Sequence, residues 1–450
     1  MTLQIEGATL ASIPRPLGRY PPTRIANYPL SDLALFHHCT MEVTMRYNRT
    51  LVILGAVVLL LISAAAQSKP LLSPGDRMVF LGDSITEQRI YTRYVMAYFT
   101  MAYPGAKLSF RNAGWGGDTS PGGLRRLQRD VLSLKPKVVS ICFGMNDAGY
   151  QRFDKGRFDV YMEGMKGLVT EIKRAGAQVV LLTPGCVDGD KNPGIKEFYN
   201  DTLADFAKGV KQLARAEQIP VFDINALMLD IQTRAKADDP KFTMIPDSVH
   251  PSNPGHAIMA FGLLKALGCE GAPPSLEIDA AAAKASAKGC KVDDIKVSAG
   301  AVAFTRTDEA LPMVFNPDAS VVFKYLPPLE EMCRYQFTVT GLADGNWKLT
   351  VDGAEVGTFA AADLASGVDL AGKPGPWQKI GEKVLQDCSE QENTYFLRWR
   401  QVSLASVPPK GESAMKAALS GLDKVVDAWE SSRIADTKAR TWKWSLELAK

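Results

Sequence analysis

Histidine is scarce in this chain of 450 residues, which has only four: His37, His38, His250 and His256. The first two precede a predicted export signal, so the mature protein keeps only His250 and His256 as candidate general bases. No histidine follows His256, and the C-terminal region therefore cannot supply an imidazole base.

A large excess of one charge is also missing, since 52 lysines and arginines face 49 aspartates and glutamates. The first 66 residues carry five arginines and three acids, which leaves the remainder with a net charge near +1. A chain so close to neutral lacks the basic surface that nucleic acids or anionic membranes attract, and we expect neither as a partner. No cluster of histidine, cysteine and aspartate has metal-site spacing, so no metal or cofactor is expected.

No apolar run of the sequence is long enough to span a membrane. Residues 51–62 are apolar and, with the alanines that follow, extend to about 16 residues, whereas a spanning helix needs about 20. Basic residues precede this run and Ala64-Ala65-Ala66 follow it, which is the order of a cleavable signal peptide over residues 45–66. We therefore predict a secreted or periplasmic protein without stable membrane insertion after cleavage. Residues 1–44 are interpreted as a non-native or disordered extension.

Strand-like and helix-like stretches alternate through residues 70–268. Stretches such as 158–174 and 196–217 are predicted helices. This alternation predicts a parallel sheet with helices on both faces. The predicted strands are the apolar runs 78–81, 108–110, 138–143, 179–183 and 220–222.

The composition changes after Gly268, and Gly271-Ala272-Pro273-Pro274 is typical of a domain boundary. Residues 275–450 are predicted to form a β-rich accessory region with a C-terminal helix. Alternation of apolar and polar residues predicts strands at 335–340, 346–351, 393–404 and 442–448. The alanine-rich residues 280–287 and the apolar spacing over 415–429 predict two helices.

Six cysteines follow the predicted signal peptide. Cys269 with Cys290, and Cys333 with Cys388, could pair in an oxidising compartment. The sequence leaves open whether they do.

A serine stands directly after the first predicted strand, in Gly82-Asp83-Ser84-Ile85-Thr86. A serine hydroxyl is a poor nucleophile unless a base lies within hydrogen-bond reach and a third group orients that base. Asp247-Ser248-Val249-His250 offers a carboxylate and an imidazole three residues apart. Because Thr86 stands where a Gly-x-Ser-x-Gly motif would have its second glycine, the nucleophile elbow of the α/β-hydrolases is disfavoured.

Two more polar segments follow predicted strands. Residues 112–120, Asn-Ala-Gly-Trp-Gly-Gly-Asp-Thr-Ser, come after the second strand, and Gly144-Met145-Asn146-Asp147 come after the third. In open α/β sheets, ligands bind outside the carboxyl ends of the strands. The sequence therefore predicts a site at this edge.

With these four blocks in this order, residues 76–267 resemble the SGNH (GDSL) hydrolase family. The resemblance implies a flavodoxin-like three-layer α/β/α parallel sheet of the SGNH hydrolase type. It implies that Ser84 is the nucleophile, His250 its base and Asp247 the acid that orients the base. The implied oxyanion-hole donors are the Ser84 and Gly117 backbone N–H groups and the Asn146 side-chain amide.

Three further residues near these blocks are interpreted as supporting ones. His256 opens an apolar helix and has Asn253, not an acid, three residues before it, so we expect a structural role. Asp83 and Asp147 adjoin the implied catalytic positions, and short acids after strands usually accept hydrogen bonds from nearby backbone N–H groups.

We thus predict a secreted serine esterase acting on carboxylic esters, with acylated carbohydrates as one substrate class and the oligomeric state left open. Polar loops around the implied site favour short acyl groups, and Trp115 and Tyr150 could stack on a sugar ring. Two alternatives remain at this stage: a lipid acyl hydrolase, and a non-catalytic carbohydrate- or surface-binding protein with a vestigial hydrolase domain.

Overall fold

The computed structural model describes residues 70–192, 194–195, 198–269 and 274–449. The predicted extension, the predicted signal peptide and most of the predicted boundary at 271–274 lie outside the described residues. No helix within the described ranges combines the length and apolar character needed to cross a bilayer.

Five parallel strands form the first sheet: β1 (Arg77–Gly82), β2 (Ser109–Gly114), β3 (Val138–Cys142), β4 (Gln178–Leu182) and β5 (Val221–Phe222). They lie in the order β2-β1-β3-β4-β5. The apolar residues of β1 to β4 are buried on both faces, as expected for a parallel sheet covered by helices on both sides. The predicted flavodoxin-like three-layer arrangement is confirmed.

Seven helices connect or follow these strands. They include the predicted helices at 158–174 and 196–217, which begin at Lys155 and Tyr199 in the structure. The helices are α1 (Ser84–Glu87), α2 (Ile90–Ala102), α3 (Ser120–Asp130), α4 (Lys155–Arg174), α5 (Tyr199–Glu217), α6 (Ile224–Asp238) and α7 (Asn253–Ala266).

Strand β1 lies at the centre of the functional edge. Gly82, its last residue, is paired with Gly114 at the end of β2 and with Cys142 at the end of β3. The segments that follow these three strands therefore leave the sheet side by side.

The region after residue 274 contains nine further strands among its described residues: β6 (Ser275–Asp279), β7 (Lys284–Lys288), β8 (Cys290–Ser298), β9 (Ala301–Asp308), β10 (Gln336–Thr340), β11 (Asn346–Val351), β12 (Ala354–Ala360), β13 (Val368–Asp369) and β14 (Arg440–Leu448). They form two sheets, one of four strands in the order β13-β10-β6-β7 and one of five in the order β12-β11-β14-β9-β8. The helices here are α8 (Pro327–Cys333), α9 (Ala361–Ser366), α10 (Pro376–Phe396) and α11 (Glu412–Asp436).

Two local predictions for this region are wrong. Residues 280–287 were expected to be helical, but β7 pairs in antiparallel register with β6, and this pairing outweighs the helix propensity of alanine. Residues 393–404 were expected to form a strand, but α10 runs to Phe396 and a π-helix follows at Leu397–Val402. Tyr395 and Trp399 are four residues apart and stack with ring centroids 6.3 Å apart, because this spacing places both rings on the same face of a helix.

The C-terminal region packs directly against the first sheet and its helices. Helix α10 lies along α2, and the buried guanidinium of Arg433 in α11 donates to the Leu108 carbonyl (2.7 Å) and to the Thr100 hydroxyl. The described residues accordingly belong to one compact unit.

The two disulfides considered from the sequence are not formed. Cys290 and Cys388, one partner from each suggested pair, are both free thiols buried in the protein. Burial raises the pKa of the Cys388 thiol to about 12, so it stays protonated near neutral pH.

Candidate active site

Ser84 is the first residue of α1, immediately beyond β1. Asp83 caps this helix, and its side chain accepts a hydrogen bond from the Ile85 N–H at 3.0 Å. Because Ser84 opens the helix, its own N–H has no helical carbonyl to donate to. Ser84 thus presents both its hydroxyl and an unused backbone N–H donor at the start of α1.

The structure brings Ser84, His250 and Asp247 into one hydrogen-bonded row. Ser84 Oγ lies 2.8 Å from His250 Nε2, and His250 Nδ1 lies 2.7 Å from Asp247 Oδ2. The carboxylate can only accept, so Nδ1 carries the proton and Nε2 is left as an acceptor for the serine hydroxyl. This is the tautomer that a general base for Ser84 requires.

The loop from Asp247 to His250 is held as a tight turn. Asp247 Oδ1 accepts the backbone N–H groups of Val249 (3.0 Å) and His250 (2.6 Å), while Ser248 takes a left-handed conformation with φ +79°. Partial burial acts to raise the pKa of Asp247, but these two N–H groups and the His250 ring outweigh it and hold the pKa below its usual value. Asp247 is therefore ionised at neutral pH.

The loop that follows β4 is hydrogen-bonded to this turn. The Asp188 N–H donates to the Ser248 carbonyl at 3.1 Å, and Lys236 in turn donates to Asp188 at 2.6 Å. On the other side, the Gln88 side-chain amide donates to the Pro251 carbonyl at 3.3 Å, which ties the turn to the segment after Ser84.

Asn146 lies in the loop after β3, and its amide orientation is fixed from both ends. Its Nδ2 donates to the Asp118 carbonyl at 2.9 Å, and its Oδ1 accepts the Tyr150 hydroxyl at 3.0 Å. An amide nitrogen has two N–H groups, so one donor remains for a ligand.

Gly117 lies in the loop after β2 with φ +72°, a conformation that residues with a Cβ rarely adopt. It is exposed, and within the described part of the chain its N–H donates no hydrogen bond. Gly114, three residues earlier, lies so close to α1 that a Cβ there would collide with the Glu87 backbone. This close approach brings the Gly117 loop against the segment that carries Ser84.

Asp83 and Asp147 both accept hydrogen bonds from backbone, Asp147 from the Ser120 N–H and hydroxyl at 2.8 Å each. Burial is the main cause that raises the pKa of Asp83 to about 7 and that of Asp147 to about 6. The Asp147 carboxyl joins the loop after β3 to the start of α3, whereas the Asp83 carboxyl caps α1 within its own segment.

His256 lies apart from the Ser84 row. It is fully buried, its Nε2 lies 3.0 Å from Gln88 Oε1, and its ring stacks on Tyr91 at 6.0 Å. Burial lowers its pKa to about 3, so the ring stays neutral at ordinary pH.

A buried polar contact from the C-terminal region reaches the Ser84 segment, which the sequence did not reveal. Glu392 in α10 accepts the Thr92 hydroxyl at 2.6 Å and lies 3.5 Å from Asn112 Nδ2. The same Asn112 amide donates to the Thr86 carbonyl in α1 at 2.8 Å. No sequence signal could find this contact, since Glu392 and Asn112 are separated by 280 positions.

The two aromatic residues suggested as sugar platforms have other contacts. The Arg400 guanidinium lies 3.4 Å from the centre of the Trp115 ring, and Trp399 packs edge-on to the same ring at 6.0 Å. Tyr150 stacks on Tyr199 with centroids 5.1 Å apart. Both rings are therefore already packed against other side chains of the protein.

Comparisons with known proteins find one family model and several similar proteins. Residues 80–258 match the GDSL-like Lipase/Acylhydrolase family. An acetylxylan esterase of Geobacillus stearothermophilus is 29% identical over 222 residues, which cover 44% of this chain and 95% of that protein. An uncharacterized lipoprotein of Bacillus subtilis is 38% identical over 81 residues, 17% of this chain and 32% of that protein.

A solved structure resembles far more of the chain. A gut microbial diltiazem-metabolizing enzyme superposes with a TM-score of 0.75 at 25% identity, covering 84% of this chain and 98% of that chain. This match extends well beyond residues 80–258 and so includes much of the C-terminal region. Residues 80–258 are thus a domain of the GDSL-like Lipase/Acylhydrolase family, and the chain is a hydrolase of ester bonds.

Proposed function

We propose that this protein is an exported serine esterase that removes short acyl groups, acetyl among them, from carbohydrates. The observation that carries the proposal is the row from Ser84 Oγ to His250 Nε2 (2.8 Å) and from His250 Nδ1 to Asp247 Oδ2 (2.7 Å). A hydroxyl, an imidazole and a carboxylate in this order are what nucleophilic acyl transfer requires.

In the first half of the reaction, Ser84 Oγ bonds to the ester carbonyl carbon while His250 Nε2 takes the serine proton. The tetrahedral intermediate then collapses, the bond to the alcohol oxygen breaks, and the alcohol leaves with the proton from His250. The acyl group remains on Ser84. In the second half, His250 takes a proton from water, the water oxygen attacks the acyl carbon, and Ser84 regains its proton as the acid leaves.

Negative charge develops on the carbonyl oxygen in both halves. The backbone N–H groups of Ser84 and Gly117 and the second N–H of Asn146 are the donors that we assign to it. The unused helix-start N–H of Ser84, the exposed Gly117 loop and the fixed Asn146 amide support this assignment. Donors held in place before the charge forms contribute about 3 kcal/mol each to the barrier reduction.

Carbohydrate esters are favoured by two observations. An acetylxylan esterase is one relative that is matched over 95% of its length. The loops at the site, residues 114–120 and 147–152, are also mostly polar and do not form a long apolar wall for a lipid chain. Export is proposed from the order of basic, apolar and small residues over 45–66.

The test is a substrate series with purified protein that begins at Gln67. We expect kcat/KM to fall from acetyl to palmitoyl nitrophenyl esters, and acetylated xylan fragments to release acetate. Ser84→Ala should abolish both activities and serves as the control for background hydrolysis. Efficiency that rises up to palmitoyl would reject the short-acyl proposal in favour of lipid hydrolysis.

A further inference from the structure

A cavity of about 830 Å³ lies between helix α2 and the C-terminal region, separate from Ser84. Its volume is within the range of small-ligand sites, about 300–1,000 Å³. Helix α2 contributes Arg93, and the other walls are one face of α10, the segment from Met313 to Phe323, Cys333 and the segment from Asp369 to Gly372. Almost all of its lining thus follows residue 258, where the family match ends.

One wall of the cavity is a polar ladder on α10. Gln378, Glu382, Gln386 and Glu390 follow one another at intervals of four residues, so they share one helix face. At a rise of 1.5 Å per residue, the ladder is about 18 Å long. Within the described chain, neither Glu382 nor Glu390 has a hydrogen-bond or ion-pair partner, so both carboxylates can accept hydrogen bonds from a ligand.

The opposite wall is apolar and aromatic. Met313, Phe315 and Phe323 line it, and Phe315 packs edge-on to Phe323 with centroids 5.6 Å apart. Phe315 is also held against Tyr94 of α2 at 4.7 Å. These contacts fix aromatic surface opposite the polar ladder.

Among the described residues that line the cavity, Arg93 is the single cation, against three carboxylates: Glu382, Glu390 and Asp369. The Arg93 guanidinium donates from Nε to the Arg89 carbonyl at 3.1 Å and from Nη1 to Ser389 Oγ at 3.3 Å. The carboxylates of the ladder therefore disfavour an anionic ligand. The hydroxyl groups of a sugar can donate hydrogen bonds to these carboxylates, and can both donate to and accept from the side-chain amides of Gln378 and Gln386. The C–H faces of the sugar rings can pack on the aromatic wall.

The cavity is joined to both halves of the candidate active site. A parallel contact lies four residues before Arg93 and four residues after Ser389, where Arg89 Nε donates to Asn393 Oδ1 at 3.3 Å. Arg89 Nη1 also donates to the Glu87 carbonyl in α1 at 2.7 Å. On the other side, Asn253, three residues after His250, donates to Asp318 at 3.0 Å. The walls of the cavity are thus fixed relative to Ser84 and His250.

We propose that this cavity binds a neutral oligosaccharide, the part of an acylated carbohydrate that lies away from the ester being cleaved. The proposal rests on the proposed function, because it assigns a site to the alcohol portion of that substrate. It gives the C-terminal region a role in substrate recognition.

The test is calorimetric titration of the mature protein with unacetylated xylo-oligosaccharides of two to six units. We expect saturable binding that strengthens with length and weakens at least tenfold in a Glu382→Ala, Gln386→Ala double variant. Lys379→Ala, an exposed change on the same helix outside the cavity, should bind as the wild type does. Both variants should hydrolyse nitrophenyl acetate at the wild-type rate, which also shows that they are folded.

No saturable binding by the wild type, or equal binding by the double variant, would overturn the proposal. Preferential binding of deacetylated chitosan oligosaccharides, which are cationic, would overturn the assignment of a neutral ligand. Turnover of nitrophenyl acetate is measured separately. If the wild type does not hydrolyse nitrophenyl acetate, the esterase function is rejected. If it hydrolyses the ester but binds no oligosaccharide, the cavity proposal alone is rejected.

Discussion

The two histidines of the described chain have opposite environments. His250 lies between Ser84 and Asp247, whereas His256 is fully buried beside Tyr91 with a pKa of about 3. His250→Ala should lower kcat by several orders of magnitude, because no other imidazole of the described residues lies beside Ser84. His256→Ala should lower the melting temperature and leave kcat of the folded protein nearly unchanged. Steady-state kinetics with thermal unfolding would test this, and equal loss of kcat in both variants would contradict it.

Asn146 is expected to act only in the transition state. Asn146→Ala should lower kcat by about 10²–10³ with little change in KM, as for other single oxyanion-hole donors. Tyr150→Phe keeps the ring stacked on Tyr199 but removes the donor to Asn146 Oδ1, so we expect a several-fold loss. A loss for Asn146→Ala that appears only in KM would assign the residue to ground-state binding instead.

At the scale of elements, helix α10 contributes the buried carboxyl of Glu392, which contacts the side chains of Thr92 and Asn112 close to the segment that carries Ser84. Burial is the main cause that raises the pKa of Glu392 from 4.5 to about 7, against the opposing hydrogen bond from Thr92 and the positive charges of Arg93 and Arg89. Between these two pH values the folded protein holds a proton that the unfolded chain has lost. The free energy of unfolding should therefore decrease as pH rises through this window.

Glu392→Gln removes this titration while it keeps the shape of the side chain and one acceptor oxygen. The stability of the wild type relative to this variant should thus fall by on the order of 3 kcal/mol between pH 4.5 and pH 8. Urea unfolding of both proteins across this range measures the effect. A difference that stays constant with pH would mean that Glu392 does not titrate in the window.

The strands of the first sheet could be predicted from the sequence because buried parallel strands are continuous apolar runs, such as residues 78–81. Candidate site residues could be named because Ser84, Gly117 and Asn146 follow three of those strands closely. Helix α10 could not be predicted over 393–396, since Tyr395 and Trp399 fit both an alternating and a four-residue pattern. The Glu392–Asn112 contact depends on tertiary packing alone.

For the whole molecule, the C-terminal region shares a core with the sheet that carries Ser84. Because residues 275–450 contain no histidine, the sequence alone predicts that a truncation near Gly271 retains some activity if the protein remains folded. The structure favours the opposite expectation, because truncation would remove the partners of Thr92 and Thr100 and expose the face of α2 that packs on α10. We predict that residues 67–271 alone are insoluble or unfolded by circular dichroism. A folded, active fragment would contradict this.

The central claim is that Ser84 is the nucleophile of the whole reaction, and covalent labelling tests it most directly. The mature protein is treated with a fluorophosphonate, digested and analysed by mass spectrometry, with His250→Ala and Ser84→Ala in parallel. We predict stoichiometric modification of Ser84 in the wild type, with loss of ester hydrolysis in the same proportion. Labelling should be far slower in His250→Ala and absent in Ser84→Ala. Modification of a different residue, or full activity in Ser84→Ala, would contradict the account.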